Sequence, residues 1–323
     1  MYKILGMGNA LTDVLVQLTS EDLLNELGLP KGSMQLIDEA TFLRLQQRLV
    51  GMPLQWVCGG SAANTITGVS RMGVRTGFIG KVHNDPVGLN YKKDIEQHGV
   101  TPFMLEGEQP SGQAIVFITP DGERTFATYL GAASALEAKD LNPAHFYGFD
   151  LFYIEGYLVQ NHTLMTTAIR MAREAGLLVA LDLASYNVVE GNRTFLQDLV
   201  EGHIDIVFAN EEEAKALTGL EPEAALAWLG DRVDIAVVKL GAKGAMARKG
   251  LELATQPAVS ARCVDTTGAG DLFAAGFLYG LAMDKSLNEC VYFGTVAAGK
   301  VIESIGPKID KAGWDSVMAT FYA

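Results

Sequence analysis

The sequence predicts an α/β protein: a doubly wound, mostly parallel sheet with helices on both faces, carrying a small β-sheet lid built from discontinuous segments. Three observations predict it. From Phe149 onward, short apolar runs of strand length alternate with longer amphipathic segments, the pattern of right-handed βαβ units. Extended pieces near 11–18, 33–38 and 101–130 break that alternation and so belong to something else, the lid. A chain of 323 residues, 49% of them hydrophobic, can bury a core large enough for one domain over 1–323 with an accessory piece.

Tyr2 to Met7 reads as a buried strand and Asp13 to Leu18 as a second, parted by the Gly8-Asn9 turn. Ser33 to Asp38 is a short extended piece, followed by a helix near Glu39 to Leu49. Trp56-Val57-Cys58 leads into Gly59-Gly60, which opens a helix from Ser61 to Met72; a strand from Arg75 to Val82 and a helix from Val87 to His98 follow. From Thr101 to Leu130 the runs are short and extended, with Pro110-Ser111-Gly112 and Pro120-Asp121-Gly122-Glu123 marking hairpin-type turns. The alternation then runs through strands at Leu151 to Glu155, Leu177 to Leu183, Ile204 to Ala209 and Ile235 to Lys239, with helices at Thr163 to Glu174 and Arg193 to Glu201. The end is helical: Gly270 to Met283, Leu287 to Glu303 and a segment from Lys311.

Composition removes several classes of function. A formal net charge of -13 without a basic patch argues against a nucleic-acid polymer as partner. An anionic substrate must then be met by local N–H groups, a lysine or a metal. Cys58, Cys263 and Cys290 are too scattered for a disulfide framework or a zinc site and suit a reducing cytoplasm. Glycines, Asn9 and Asp13 interrupt any signal-peptide core, and no apolar run reaches the ~20 residues of a membrane span. The five histidines have no metal-ligand spacing, and neither a Gly-x-Ser-x-Gly elbow nor a Walker P-loop occurs.

The most informative run is Asp265-Thr266-Thr267-Gly268-Ala269-Gly270-Asp271, directly ahead of an apolar helix. Gly268 and Gly270 let backbone N–H groups approach an anion, and the helix start adds orphan donors and its dipole. Asp271 is placed to take a proton from an attacking hydroxyl. A Gly-rich helix cap is the competing reading.

Four further segments carry the same kind of choice. Gly59, Gly60 and Asn64 suit a polyhydroxylated ligand, or small-residue helix packing. Gly8-Asn9 and Asp13 lie past the first strand, where ligands of open parallel sheets bind, and Asp13 can hold two vicinal hydroxyls or cap a turn. A dinucleotide turn at Gly6-Met7-Gly8 fails, because Leu11 stands where a third Gly or Ala is needed. Asn210-Glu211-Glu212-Glu213 ends a strand and could position magnesium, with Asn210 and Glu213 singled out, or be an acidic helix start. Lys239-Leu240-Gly241-Ala242-Lys243-Gly244 reads as a turn near nucleotide phosphates, with Lys239 or Lys243 reaching them, or as a plain β-hairpin. Arg124, on the proposed lid, could meet the transferred phosphate on closure.

Together these segments resemble the ribokinase-like (PfkB-type) carbohydrate kinase family over essentially the whole chain. Asp265 to Asp271 is similar to its C-terminal signature, and Gly59-Gly60-Ser61-Ala62-Ala63-Asn64 with Gly73, Gly80, Asp85 and Gly88 to its N-terminal one. Gly8 to Asp13, Pro30 to Asp38, and Glu123-Arg124-Thr125 through Ala132 look closest to its adenosine-kinase-like branch. The resemblance implies ATP-dependent phosphorylation of a primary alcohol, with Asp271 as base and the N–H groups of Gly268, Ala269 and Gly270 holding the moving phosphoryl group. It implies that Asn9, Asp13, Gly59, Gly60 and Asn64 bind acceptor hydroxyls. Asn210 and Glu213 would organise Mg2+ and phosphate, Glu213 through water, and Asn210, Lys239, Gly241, Gly244 and Thr266 would bind the nucleotide. Lys239 stands where many members carry Thr or Ser. A monovalent cation, K+, would sit near Asp265, Thr267 and the turn from Ser304 to Pro307.

The acceptor is a ribonucleoside, or else a free sugar or sugar phosphate; a non-catalytic sensor on the same fold is the reading from another class. A nucleoside base needs an apolar slot, for which Gln35, Leu36, Phe117 and Phe126 are candidates. A sugar phosphate needs cations, and Lys31 and Arg124 are the obvious ones. Monomer and homodimer both fit the sequence.

Overall fold

The computed structural model describes residues 2–322. Along the chain the strands are β1 Ile4–Met7, β2 Leu11–Gln17, β3 Met34–Leu36, β4 Leu54–Gly59, β5 Thr76–His83, β6 Val100–Gly107 and β7 Gly112–Ile118. They continue as β8 Arg124–Tyr129, β9 Leu151–Glu155, β10 Leu178–Asp182, β11 Ile206–Asn210, β12 Ile235–Lys239, β13 Ala245–Lys249 and β14 Glu252–Gln256. The first helices are α1 Asp22–Leu27, α2 Glu39–Arg48, α3 Ser61–Arg71, α4 Pro86–Gln97, α5 His162–Glu174 and α6 Tyr186–Gly191. After them come α7 Arg193–Gly202, α8 Glu211–Thr218, α9 Pro222–Gly230, α10 Ala269–Ala282, α11 Leu287–Val301 and α12 Lys311–Phe321.

Among the described residues the large sheet has the order β14-β13-β12-β11-β10-β9-β1-β5-β6. Every pair from β12 to β6 is parallel, and β13 and β14 add an antiparallel end. Its central strands are apolar on both faces because both are covered. Ile4, Tyr153, Phe208 and Val237 pack into one layer with α3, α10, α11 and α12. Leu5, Ile154, Leu181 and Val238 pack into the other with α5, α7, α8 and α9. The chain leaves β1 toward β5 and β6, then returns to β9 on β1's other side, so the strand order reverses at β1/β9. Ligands of such sheets bind outside the carboxyl ends at that switch point.

The small sheet has the order β3-β8-β7-β2-β4. One face, with Val14, Val16, Ile115, Phe117, Ala127 and Tyr129, packs against α1 and α2 through Leu24, Phe42 and Leu45. Side chains alternate across a strand, so Asp13, Arg124 and Phe126 take the opposite face. β3 pairs with β8 as Met34↔Phe126, Gln35↔Ala127 and Leu36↔Thr128.

Two corrections to the expected lid follow. Val100–Gly107 pairs with β5 at the edge of the large sheet instead of joining the small one, because α4 and the short link after it complete a β5–α4–β6 unit. β4, which the sequence reading did not assign to the lid, pairs with β2 as the small sheet's other edge. No helix among the described residues is long and apolar enough to cross a membrane.

Candidate active site

Adjacent parallel strands end on polar residues in a row: Glu155 on β9, Asp182 on β10, Asn210 on β11 and Lys239 on β12. In register, Asp182 lies beside Glu155, and Asn210 beside Lys239. Each closes an otherwise apolar run, so the sheet itself carries these side chains to one rim. Asn9, just past β1, and the N-termini of α3 and α10 complete the rim.

At the start of α10, Gly268 has φ 77°, a left-handed conformation that glycine adopts without strain. A Cβ there would meet the Cβ of Pro307 at 2.6 Å, so the turn before α12 packs directly on this loop. The Ala269 N–H donates to the Thr266 carbonyl at 3.1 Å. Of the three N–H groups expected to hold a phosphoryl group, Ala269's is therefore spent on the turn. Those of Gly268 and Gly270 have no acceptor among the described residues. The exposed Thr266 contributes that carbonyl.

Asp271, three residues past Gly268, is gripped from α3. Ser61 Oγ donates to its Oδ1 at 2.7 Å and Asn64 Nδ2 to its Oδ2 at 3.0 Å. Burial pushes its carboxyl up to about 6, against the Asn64 and Ser61 hydrogen bonds that pull it down. Asn64 Oδ1 is buried and has no partner among the described residues, an uncommon state for such an atom. Asn64 lines a cavity together with Val57, Cys58, Leu272, Pro307 and Lys308. Val57 is the register partner of Asp13, so the cavity adjoins the carboxylate on the small sheet. Asp13 accepts no hydrogen bond among the described residues; burial raises it to about 7, with Lys308 and Arg124 pulling the other way. Gly59 lies against this carboxylate, a Cβ on it meeting Asp13 Oδ2 at 2.8 Å. Gly60, with φ 94°, caps α3 and packs against the Asn9 carbonyl too closely for any Cβ.

The donors of Asn9 are committed within the protein. Its N–H and Nδ2 both donate to Glu155 Oε1 at 2.9 Å, and Ala62 N–H donates to Glu155 Oε2 at 2.8 Å. Glu155, which no signature motif marks, thus bolts β1, β9 and α3 together across the switch point. It is 1% exposed, and burial raises its carboxyl to about 7 despite those three donors.

Lys239 Nζ pairs with Asp182 Oδ2 at 3.0 Å and lies 3.3 Å from where a Cβ on Gly270 would be. Its ammonium therefore stands beside the loop that begins α10. Burial lowers its proton affinity, but Asp182 and Glu213 outweigh that and hold it above the ordinary lysine range. Asn210 and Glu213 form a reciprocal capping box at the start of α8: Glu213 N–H donates to Asn210 Oδ1 at 2.8 Å, and Asn210 N–H and Nδ2 donate to Glu213 at 2.8 and 2.7 Å. Burial lifts Glu213 to about 7. No group of three acidic, histidine or cysteine side chains among the described residues is arranged as a metal cage. The donor set suits Mg2+ all the same, since that ion keeps its waters and leans on one or two carboxylates plus phosphate oxygens. Glu213 and Asp182, beside Lys239, are the carboxylates that would hold it there.

Several expectations change. Gln35 pairs in register with Ala127, on the helix-packed face of the small sheet, and Phe117 is wholly buried in that same layer. Neither lines an acceptor slot; Leu36 and Phe126 keep the Asp13 face and Met34 joins them. Gly241 and Gly244 belong to the turn of the β12–β13 hairpin, Gly244 at φ 102° packed on the Gln256 backbone. Lys243 is exposed and paired with Glu211, so Lys239 is the lysine that reaches the loop. The Arg124 guanidinium pairs with Asp265 at 2.8 Å and donates to Thr267 Oγ1 at 3.2 Å. Asp265, Thr267 and Arg124, expected to serve different ligands, hold one another.

A half-buried carboxylate at a helix N-terminus, with free backbone donors and a lysine beside it, is built for transfer of an anionic group to a hydroxyl. Residues 47–312 match the model of the pfkB family carbohydrate kinases. The chain belongs to that family. It is 31% identical to an uncharacterized sugar kinase of Archaeoglobus fulgidus over 75% of this chain and 96% of that protein. Two crystal structures superpose at a TM-score of 0.88: a probable sugar kinase of Rhizobium etli, 34% identical and covering 99% of this chain and 98% of that one, and adenosine kinase of Sinorhizobium meliloti, 36% identical and covering 99% of each. The chain is therefore a sugar or nucleoside kinase, a phosphotransferase acting on a hydroxyl group, and ATP is the phosphoryl donor its family implies.

Proposed function

We propose that this kinase phosphorylates the primary hydroxyl of a ribonucleoside, with Asp271 as general base. The observation that carries the reading is Asp271's setting: Ser61 and Asn64 aim it, and it follows directly on the loop whose Gly268 and Gly270 N–H groups are free. With its carboxyl raised to about 6, it is mostly ionised at pH 7, yet basic enough to accept a proton as the hydroxyl acidifies during attack. Phosphoryl transfer asks a protein mainly for positioning and charge stabilisation. The free N–H groups and Lys239 supply both at the phosphate end, and Asn64 Oδ1 with the Asp13 carboxylate at the acceptor end, where each takes a sugar hydroxyl. Glu213 and Asp182 would hold Mg2+, which would neutralise phosphate charge.

A nucleoside is favoured over a sugar phosphate by the small sheet's inner face. Met34 and Leu36 are 53% and 66% exposed there, in register with Phe126 and Thr128, an apolar strip suited to a flat base. The two cations offered for a sugar phosphate are committed elsewhere: Lys31 to Glu21 and Asp121, Arg124 to Asp265 and Thr267. ADP release measured with adenosine, other ribonucleosides, ribose, fructose and fructose phosphates tests the reading. The expected result is the highest kcat/KM for a purine ribonucleoside; a higher value for a free or phosphorylated sugar overturns the acceptor assignment. Ligand binding by calorimetry with no ADP release from any of them overturns the kinase mechanism as well.

A further inference from the structure

Asp265 opens the loop that ends at Gly268, and its carboxylate accepts from four donors. Thr267 N–H and Thr267 Oγ reach Oδ1 at 3.1 and 2.8 Å, and Gly306 N–H and the Arg124 guanidinium reach Oδ2 at 2.6 and 2.8 Å. A carboxylate offers about four lone-pair positions, so this one is filled. The Thr267 hydroxyl is spent as well, giving its proton to Asp265 and a lone pair to Arg124 at 3.2 Å. Ser304 Oγ, in the facing turn, donates to the Val301 and Lys308 carbonyls. A monovalent cation expected beside Asp265, Thr267 and the Ser304–Pro307 turn would have to displace donors that are already in place. It would also sit against a guanidinium, whose like charge repels it in a poorly screened position, Asp265 being 6% and Arg124 13% exposed at the side chain. The side chains present do not fit the ion.

We infer that the Arg124 guanidinium, carried in from the small sheet, takes the place of a monovalent cation beside Asp265, so that the protein neither binds nor needs K+ there. The charge a buried carboxylate requires then comes from β8, and the two loops flanking Gly268 are tied by a side chain that never leaves the chain. Arg124 is by this account a positioning residue: it acts on the phosphoryl loop through Asp265 and Thr267. Its planar fork can bond both at once, which the point charge of a lysine cannot reproduce.

The test compares KCl with choline chloride at equal ionic strength, which keeps general screening constant, on the whole protein. Melting temperature is the first readout because it does not depend on the kinase reading; kcat/KM for the best acceptor is the second and rests on it. For the wild type, exchanging choline for K+ should move the melting temperature by less than about 1 °C and kcat/KM by less than about twofold. Arg124→Ala should lose activity and become K+-responsive, with a melting temperature about 2 °C or more higher in K+ than in choline and a partial return of rate. A wild type that is stabilised or several-fold activated by K+ overturns the inference, and so does an Arg124→Ala protein that ignores K+. Should Arg124→Ala not fold, the wild-type comparison decides alone.

Discussion

Asp271 is half-buried and Glu155 fully buried, and burial raises both pKa values, yet hydrogen bonding divides their work. Asp271 accepts only two side-chain bonds, from groups that orient it, whereas Glu155 is held by two backbone N–H groups and an amide. Asp271→Asn should therefore cut kcat by at least the ~10² typical of general-base loss while KM changes little. Steady-state kinetics check this, and an Asn variant with near-normal kcat sinks the assignment. Glu155→Ala leaves the donors of Asn9 and Ala62 without an acceptor in a dry position. It should cost about 3 kcal/mol or more of stability, one unsatisfied group being worth ~1–3. It should also raise KM, since Asn9 and the Gly60 turn then lose their anchor. Urea denaturation and KM together read both effects.

At the scale of elements, the parallel strands each deliver one polar residue to a common rim, and two helix starts close it. α3 and α10 are tied by the Ser61 and Asn64 bonds to Asp271, and by Thr65 Oγ1, which donates to the Asp271 carbonyl at 3.1 Å. In the proposed acceptor site the small sheet adds a wall whose chemistry is set by register. Because Met34 and Leu36 share the face of Asp13, Leu36→Lys should raise KM for a ribonucleoside about tenfold or more, the value of burying an apolar contact of ~1.5 kcal/mol. The same change should leave KM for ATP unchanged. Gln35→Ala, on the other face, should do little to either constant. Equal effects of Leu36→Lys and Gln35→Ala would contradict the register argument.

The molecule as a whole gathers four carboxyls that burial raises: Asp13, Glu155 and Glu213 to about 7 and Asp271 to about 6. Between the unfolded carboxylate range near 4 and those values, the folded protein binds more protons than the unfolded chain. Stability from these groups is therefore complete below about 4 and is lost as pH rises through 6 to 7. Activity should have the opposite sign, because in the proposed mechanism Asp271 and Asp13 work as anions. The ligand-free kinase should melt higher at pH 6 than at pH 8, while kcat/KM falls over the same interval as pH drops. Thermal melts and a pH–rate profile check the two slopes; slopes of the same sign contradict the assignment of these carboxyls.

Local sequence determined the fold class and the chemistry of the helix starts. Strand and helix periods are properties of short windows, and Gly268 to Asp271 carries its glycine flexibility, its orphan N–H groups and its carboxylate within four residues. The row of strand-ending residues was legible too, in the motifs Phe-Tyr-Ile-Glu and Val-Ala-Leu-Asp, but only as polar interruptions whose alignment waits on strand order. What tertiary structure alone decided were the pairings across long separations. Glu155 meets Asn9 over 146 positions and Arg124 meets Thr267 over 143, and a one-residue register puts Leu36 in the cleft and Gln35 against the helices. Such choices depend on which strands become neighbours and on which face is buried, and no window of sequence contains that information.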